Sequence, residues 1–204
     1  MDGKSKILIA ARKVISEYGT NRATVRAIAE EAGMSTGAIY HYYKNKEEIF
    51  YDLLDDSLSD SIRIAKGIDK HGGNKENIKG DVIRKTKERF YKDAENRLQH
   101  HFAHEILSGN KELQQKFKEK YKKWNDGIEE ILVNLYGLED TPLNKALTSW
   151  LLGAVDGVIL QYLLGVNDHK VEDMMKIFEL MVNKGLPEFI QQLNAMEKKK
   201  SQGT

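Results

Sequence analysis

The chain has 204 residues, with 32 Lys and Arg against 31 Asp and Glu, so its formal net charge is only +1. Its 40% hydrophobic and 31% charged residues exclude a disordered chain and a membrane bundle. The absence of cysteine excludes disulfides, thiolate metal sites and a cysteine nucleophile. The first fifteen residues carry Asp2, Lys4, Lys6, Arg12 and Lys13 and fit no signal-peptide core, so a soluble cytoplasmic protein is expected.

Ile7, Ala11, Val14 and Tyr18 recur at helical spacing, and Gly19 supplies a stop. Thr24 is a candidate N-cap for a second helix through Val25, Ile28, Ala29 and Ala32. After Gly33 comes a very short segment, Ser35 to Tyr43. Asn45, with Glu48 three residues on, resembles a capping box that opens a longer helix. The stripe Phe50, Leu54, Leu58 and Ile62 carries that helix to about Lys66. A polar, glycine-containing loop is expected over 66–80, at His71-Gly72-Gly73-Asn74. Leu113, Phe117, Tyr121, Trp124, Ile128, Ile131 and Leu135 mark a long amphipathic helix ended by Gly137. Thr141-Pro142 is an N-cap and first-turn pair for the next. A further stripe, Val171, Met174, Phe178, Met181 and Val182, is expected to be interrupted at Gly185-Leu186-Pro187. With no sustained period of two, the fold class is all-α. The expected organisation is a three-helix domain at 1–46, a connecting helix at 47–66, a larger helical domain at 67–197 and a disordered tail at 198–204.

The informative stretch is TVRAIAEEAGMSTGAIYHYYKNK, Thr24 to Lys46. Two helices joined by a short turn with a glycine in it make a helix-turn-helix. Gly33 can take the left-handed conformation of the turn, and Ala29 and Ala32 let the helices approach. Ser35 can cap a second helix whose first turn presents Thr36 and Gly37 to phosphate and base edges.

Together with the Lys46-Glu47-Glu48 start of the next helix, this stretch resembles the tetracycline-repressor (TetR) family of transcriptional regulators over about Ile7 to Leu54. The resemblance implies a phosphate contact at Thr24 and contacts to phosphate or nearby base edges from Ser35 and Thr36. It also implies close approach at Gly37, base or backbone contacts from Tyr40 and His41, and phosphate contacts from Tyr42 and Lys46. Tyr43 stands where phenylalanine is common in the family, which adds a hydroxyl that needs a partner. For Arg26 and Lys44, phosphate contact and ordinary solvated charge both remain open. Thr36, Tyr40 and His41 offer single hydrogen bonds rather than bidentate base pairs, so affinity is expected to lean on phosphates and DNA shape. Net charge obscures this: residues 1–46 hold 8 basic and 4 acidic side chains, and residues 47–60 hold 6 acidic and no basic ones.

Beyond residue 81 there is no nucleophile elbow, P-loop or HExxH, so no enzyme, cofactor or metal site is expected. His100 and His104 lie one turn apart on a polar side, and two imidazoles alone make a poor metal site. His101 reads as a pocket residue or a satisfied core histidine. Lys116, Lys118, Lys120, Lys122 and Lys123 read as the wet side of an amphipathic helix. Between Ala146 and Asn167 the only charge is Asp156. Its length permits a membrane span, but Ser149, Asp156, Gln161 and the lack of basic flanks speak against one. A helix apolar all round is buried on more than one side.

The TetR resemblance implies a homodimer through the last two long helices, here about 141–164 and 170–185, with Trp150, Gly153, Gly157, Met174, Phe178 and Met181 as interface candidates. It also implies a small-molecule inducer pocket, for which Tyr91, His101, Phe102, Trp124, Trp150 and Tyr162 are candidates and an apolar or amphipathic ligand is expected. Asp156 could pair with a cationic ligand group or hydrogen-bond across the dimer. The function so implied is a repressor that binds a palindromic operator as a dimer and leaves it on binding inducer. The alternative is a helical ligand-binding protein or enzyme that does not act on DNA.

Overall fold

The computed structural model describes residues 2–68 and 74–202, so the middle of the expected loop, His71-Gly72-Gly73, lies outside the described residues. Residues 75–80 of that expected loop are already helical, because Asn74 caps a helix there. Every regular element among the described residues is helical, and the chain divides into two units. The first comprises Met1–Leu58 with Lys92–Gln115, the second Ser59–Tyr91 with Lys116–Thr204.

In the first unit, α1 (Gly3–Tyr18) begins at Asp2, whose side chain accepts from the Ser5 N–H at 2.7 Å. It is followed by α2 (Val25–Ala32), α3 (Thr36–Tyr42) and α4 (Lys46–Leu58). Ile7, Val14 and Ile15 of α1, Ile28 of α2, Ile39 of α3, and Ile49, Phe50, Leu53 and Leu54 of α4 form its core. Each such side chain contributes about 1.5–3 kcal/mol by burial. Helix α7 (Asp93–Leu107) belongs here too, because Ala94, Leu98 and Phe102 recur every four residues and are buried, and α7 packs on α1 and α4. The Glu95 carboxylate, 1% exposed, accepts from Nε of Arg12 at 2.6 Å. The sequence had placed this helix in the C-terminal domain; an apolar stripe alone does not say which core it faces.

The fourth helix is shorter than the expected 45–66. It stops at Leu58, Ser59 (φ −88°, ψ 23°) leaves helical geometry, and α5 (Asp60–Gly67) restarts. Asp60 in the new first turn suits the positive end of the dipole and pairs with Arg63 at 3.1 Å.

The second unit contains α5, α6 (Lys75–Phe90, capped by Asn74), most of α8 (Lys111–Tyr136), α9 (Pro142–Leu163), α10 (Val171–Leu180) and α11 (Leu186–Gln202). Its core joins Leu132, Leu138, Leu147, Val182, Leu186, Ile190 and Leu193, with a smaller cluster of Ala65, Ile68, Ile78, Ile131 and Leu135. Lys120 corrects the expected wet lysine face. It is 5% exposed because position 120 falls between Phe117 and Trp124 on the buried side of α8.

The expected interruption at Gly185-Leu186-Pro187 does not occur. A π turn, Met181–Gly185, carries α10 directly into α11, with the Leu186 N–H bonding Met181 O five residues back. In that register Pro187, having no N–H, leaves the Val182 carbonyl without its helical donor. The Tyr136 hydroxyl donates to it at 2.6 Å. Residues 198–202 also differ from expectation, continuing α11 as helix rather than a disordered tail.

Candidate nucleic-acid interface

The turn between α2 and α3 is built by Gly33 at φ 63°, ψ 36°, with the Gly33 N–H bonding Glu30 O and the Met34 N–H bonding Ala29 O. This doubly bonded C-terminal cap needs a left-handed residue, which glycine supplies without a Cβ penalty. Thr24 Oγ1 accepts from the Ala27 N–H and Ser35 Oγ from the Ala38 N–H, both at 3.1 Å. Each hydroxyl spends an acceptor site on its cap and keeps its O–H to donate outward.

Helix α3 buries Ile39 alone. Ser35, Thr36, Gly37 and His41 are exposed, as are Tyr40 at 57% and Tyr42 at 45%. The His41 and Tyr42 rings meet edge to face at 5.3 Å. Tyr43 turns inward, and its extra hydroxyl finds Asp52, to which it donates at 3.1 Å. Burial, then the Asp52 charge, pushes the Tyr43 phenol well above its ordinary value, so it stays a neutral donor. Asp52 also pairs with Lys4 at 2.7 Å, and the Lys4 ammonium lies 5.6 Å from the centre of the Tyr43 ring.

The start of α1 was missed as part of this surface. A Cβ on Gly3 would come within 2.4 Å of the Tyr42 hydroxyl oxygen, so Tyr42 rests on the first turn of α1 where a larger residue would push the ring aside. The sequence signal was Asp2-Gly3, an N-cap followed by a residue poor for helix interiors.

Asn45 Oδ1 accepts from the Glu48 N–H at 2.9 Å, while Glu48 accepts from the Lys44 N–H at 2.9 Å, close to the expected capping box but shifted by one residue. Lys44 is exposed. Lys46 is 31% exposed and lays its ammonium 5.6 Å from the centre of the Phe50 ring, so it must swing outward to meet a ligand. Arg26 is 83% exposed and bonded to Glu30 at 3.0 Å, which favours its reading as a solvated pair.

Residues 7–53, the segment just described, match the family of bacterial regulatory proteins named tetR. Over these residues the chain carries a tetR-family domain. An HTH-type transcriptional repressor of Mycobacterium tuberculosis is 36% identical over 69 residues, 34% of this chain and 35% of that one. The repressor AcnR of Corynebacterium glutamicum is 35% identical over 71 residues, 35% of this chain and 36% of that one. The chain thus aligns with only about a third of the length of these curated relatives. A fatty acid metabolism regulator of Bacillus subtilis aligns more widely, 26% identical over 87% of this chain and 93% of its own. Among solved structures, the fatty acid degradation regulator FadR of Bacillus halodurans superposes with a TM-score of 0.67 at 22% identity, covering 89% and 98% of the two chains. That likeness shows the same fold over most of the chain, and all of these proteins are named as regulators.

The inducer-pocket candidates fall in two places. His101 and Phe102 lie in the first unit, where Phe102 is 2% exposed and packs edge-on near Tyr51, and His101 meets Phe50. Burial, foremost, lowers the His101 pKa, but its Nε2 is buried without a hydrogen-bond partner, so it is not the satisfied core histidine of the blander reading. Trp124 and Tyr162 lie in the second unit, Trp124 fully buried. Tyr91 and Trp150 are 62% and 63% exposed in the chain, so neither lines a closed interior.

Of the interface candidates, Trp150, Gly153 and Met181 are exposed and Gly157 and Met174 half-buried, whereas Phe178 packs against the chain's own core. The sequence missed Ile177 and Leu180 of α10 and Phe189 and Met196 of α11, which are 47–60% exposed. In a helix with two apolar faces, periodicity cannot say which face is inside.

Proposed function

We propose that the protein is a homodimeric transcriptional repressor in the cytoplasm, gripping a palindromic operator with α3 and its flanks and released by a small molecule bound in the second unit. The observation that carries this is the exposure of α3: Ile39 alone is fully buried, and apart from half-buried Ala38 and the Tyr42 hydroxyl resting on α1 its residues lie open. Such a helix behind a left-handed turn is the arrangement that enters a major groove. The repressors aligned with this segment support the direction of control. Helix α9 supports the dimer, since only 17% of its most apolar stretch is buried within the chain. Its length and composition alone would let it cross a membrane, but Asp156, bonded within the second unit, marks its inner side as a soluble core. A ligand can release DNA only by binding the DNA-incompetent state better. A coupling of about 1–3 kcal/mol gives roughly 5–150-fold weaker DNA binding.

Selection of bound DNA from a random pool, followed by anisotropy titrations at several salt concentrations, tests this reading. A palindromic consensus with a steep salt dependence is expected; no enriched sequence and a flat salt response would end it. In the same assay Lys44→Ala and Lys46→Ala should weaken binding to all sequences alike, each reducing the salt slope by about 1. Equal slopes for wild type and variants would remove both lysines from the interface.

Gly3→Ala offers a subtler check, because its methyl displaces the Tyr42 hydroxyl without touching the core. Losing one phosphate hydrogen bond of about 1 kcal/mol lowers DNA affinity about fivefold at an unchanged melting temperature. Tyr42→Phe should match it. Wild-type affinity in both variants would show that the hydroxyl is not used.

A further inference from the structure

Inside the first unit, α7 packs on α1 and α4 and sets His101 against α4. The His101 ring meets Phe50 edge-on at 6.2 Å, and the Lys46 ammonium lies 5.6 Å from the centre of the same Phe50 ring. His101 Nε2 is buried with no hydrogen-bond partner. The Glu105 carboxylate, one turn on in α7, stands 3.7 Å from it, too far for a hydrogen bond. The other Glu105 oxygen accepts from Asn110 Nδ2 at 3.4 Å. Lys46 and Glu47 of α4 and His104 of α7 also act on the ring, while from α1 Arg12 pairs with Glu95 of α7. A buried nitrogen without a partner is costly, and this one belongs to the side chain type that changes charge near neutral pH.

We propose that His101 is a proton-linked positioning residue: on taking up a proton it closes onto Glu105 and drives Lys46 outward to the operator phosphates. The inference rests on the reading of the first unit as a DNA-binding domain and adds a regulation of that same interface. The neutral ring leaves Nε2 unpaired and lets the Lys46 side chain fold back over Phe50. The imidazolium is a donor at both nitrogens, so Nε2–H gains Glu105, while a second cation now shares the Phe50 surface with Lys46. Like charges repel more strongly in a half-buried site than in water, and Lys46, 31% exposed, has a path to solvent. The coupling is reciprocal. A phosphate that draws Lys46 away removes a cation from the surroundings of His101, so the operator-bound protein holds the His101 proton more tightly than the free protein does. A group whose pKa is raised in a complex strengthens binding as pH falls. Burial foremost, and the Lys46 charge with it, lower the His101 pKa in the free protein, so the gain is expected on the acid side of neutrality.

Two measurements on the full-length protein decide the matter. The first follows the imidazole NMR signals of wild type from about pH 8 to about pH 5, free and bound to the selected operator, with His101 assigned by its loss in His101→Gln. The His101 midpoint should lie at higher pH on DNA. An unchanged or lower midpoint overturns the proposal, as does a ring that stays neutral throughout in both states. The second measures operator affinity by anisotropy at the two ends of that range, at one salt concentration, for wild type, His101→Gln and Lys46→Ala, each checked for helical content. His101→Gln should match wild type at the alkaline end and fall at least about fivefold behind it at the acid end. A packing defect would instead weaken binding equally at both ends. Lys46→Ala lacks the side chain that His101 moves, so its response to pH should be as small as that of His101→Gln. His41 of α3 is common to all three proteins and cancels in the comparison. Equal responses in wild type and His101→Gln, or a full response in Lys46→Ala, overturn the proposal. If His101→Gln does not fold, His101→Phe, which keeps an aromatic ring against Phe50, replaces it in both measurements. Operator bound with no response that depends on His101 sinks this inference and leaves the repressor reading intact, whereas no operator bound at any pH sinks both.

Discussion

Trp150→Arg should yield a folded monomer that binds a two-half-site operator at least about a hundredfold more weakly than wild type. Trp150 is 63% exposed in the chain, so the substitution leaves no cavity in either core. Leu143, Ala146, Gly153, Gly157 and Leu164 share its side of α9 by spacing, and glycines there let a second helix come close. In a two-fold dimer each substitution counts twice. Burying the exposed part of this tryptophan removes about 95–160 Å² from water, roughly 2.5–4 kcal/mol per protomer at 25 cal/mol/Å². A buried, unpaired guanidinium adds a desolvation penalty of several kcal/mol. A monomer then binds each half-site separately and forfeits the effective-concentration gain of about 10²–10⁴ that joins the two events. Leu107→Arg is the control: this residue ends α7 in the first unit and is 88% exposed. Sedimentation velocity at micromolar concentration reads the outcome. A Trp150→Arg protein that still sediments as a dimer would remove α9 from the interface.

Gly127→Leu should destabilise the protein by about 3 kcal/mol or more, while Gly80→Ala stabilises it by about 0.5–1 kcal/mol. Both glycines are inside helices, where alanine is intrinsically better by up to about 1 kcal/mol. They differ in what a side chain meets. A Cβ at 127 lies 3.0 Å from the backbone N of Ile62 and the carbonyl carbon of Ser61, whereas a Cβ at 80 meets nothing within 4 Å. Backbone cannot rotate aside as a side chain can, so α5 must lift off α8. That motion also strains the Ser61 hydroxyl bond to the Trp124 carbonyl, 3.2 Å long. Gly127→Ala is the intermediate case: its propensity gain partly offsets the clash and leaves a net loss of about 1 kcal/mol. Denaturant midpoints check all three, and equal midpoints for Gly127→Leu and wild type would show the contact to be loose.

Much of the candidate interface is legible in local sequence because its determinants are local. Thr24, Ser35 and Asn45 accept from backbone N–H groups two or three residues into their own helices, and Gly33 sits in the turn its missing Cβ permits. The partner of Tyr43 is nine residues away and was anticipated only as a need for one. Gly3 under Tyr42 was not anticipated, since a contact across 39 positions leaves no periodic trace.

The sequence by itself determined the all-α class, most helix boundaries and the helix-turn-helix, because helical periodicity, caps and glycine stops act within a few residues. It also showed that the near-zero net charge conceals a basic first 46 residues and an acidic stretch after them. Only the tertiary structure decided that α7 packs with α1 and α4, that the fourth helix breaks at Ser59, and that Lys120 is buried. It alone placed Arg89, Tyr121 and Asp156 together from three helices. An amphipathic stripe records that a face is covered. What covers it depends on residues tens of positions away, and no local pattern carries that information.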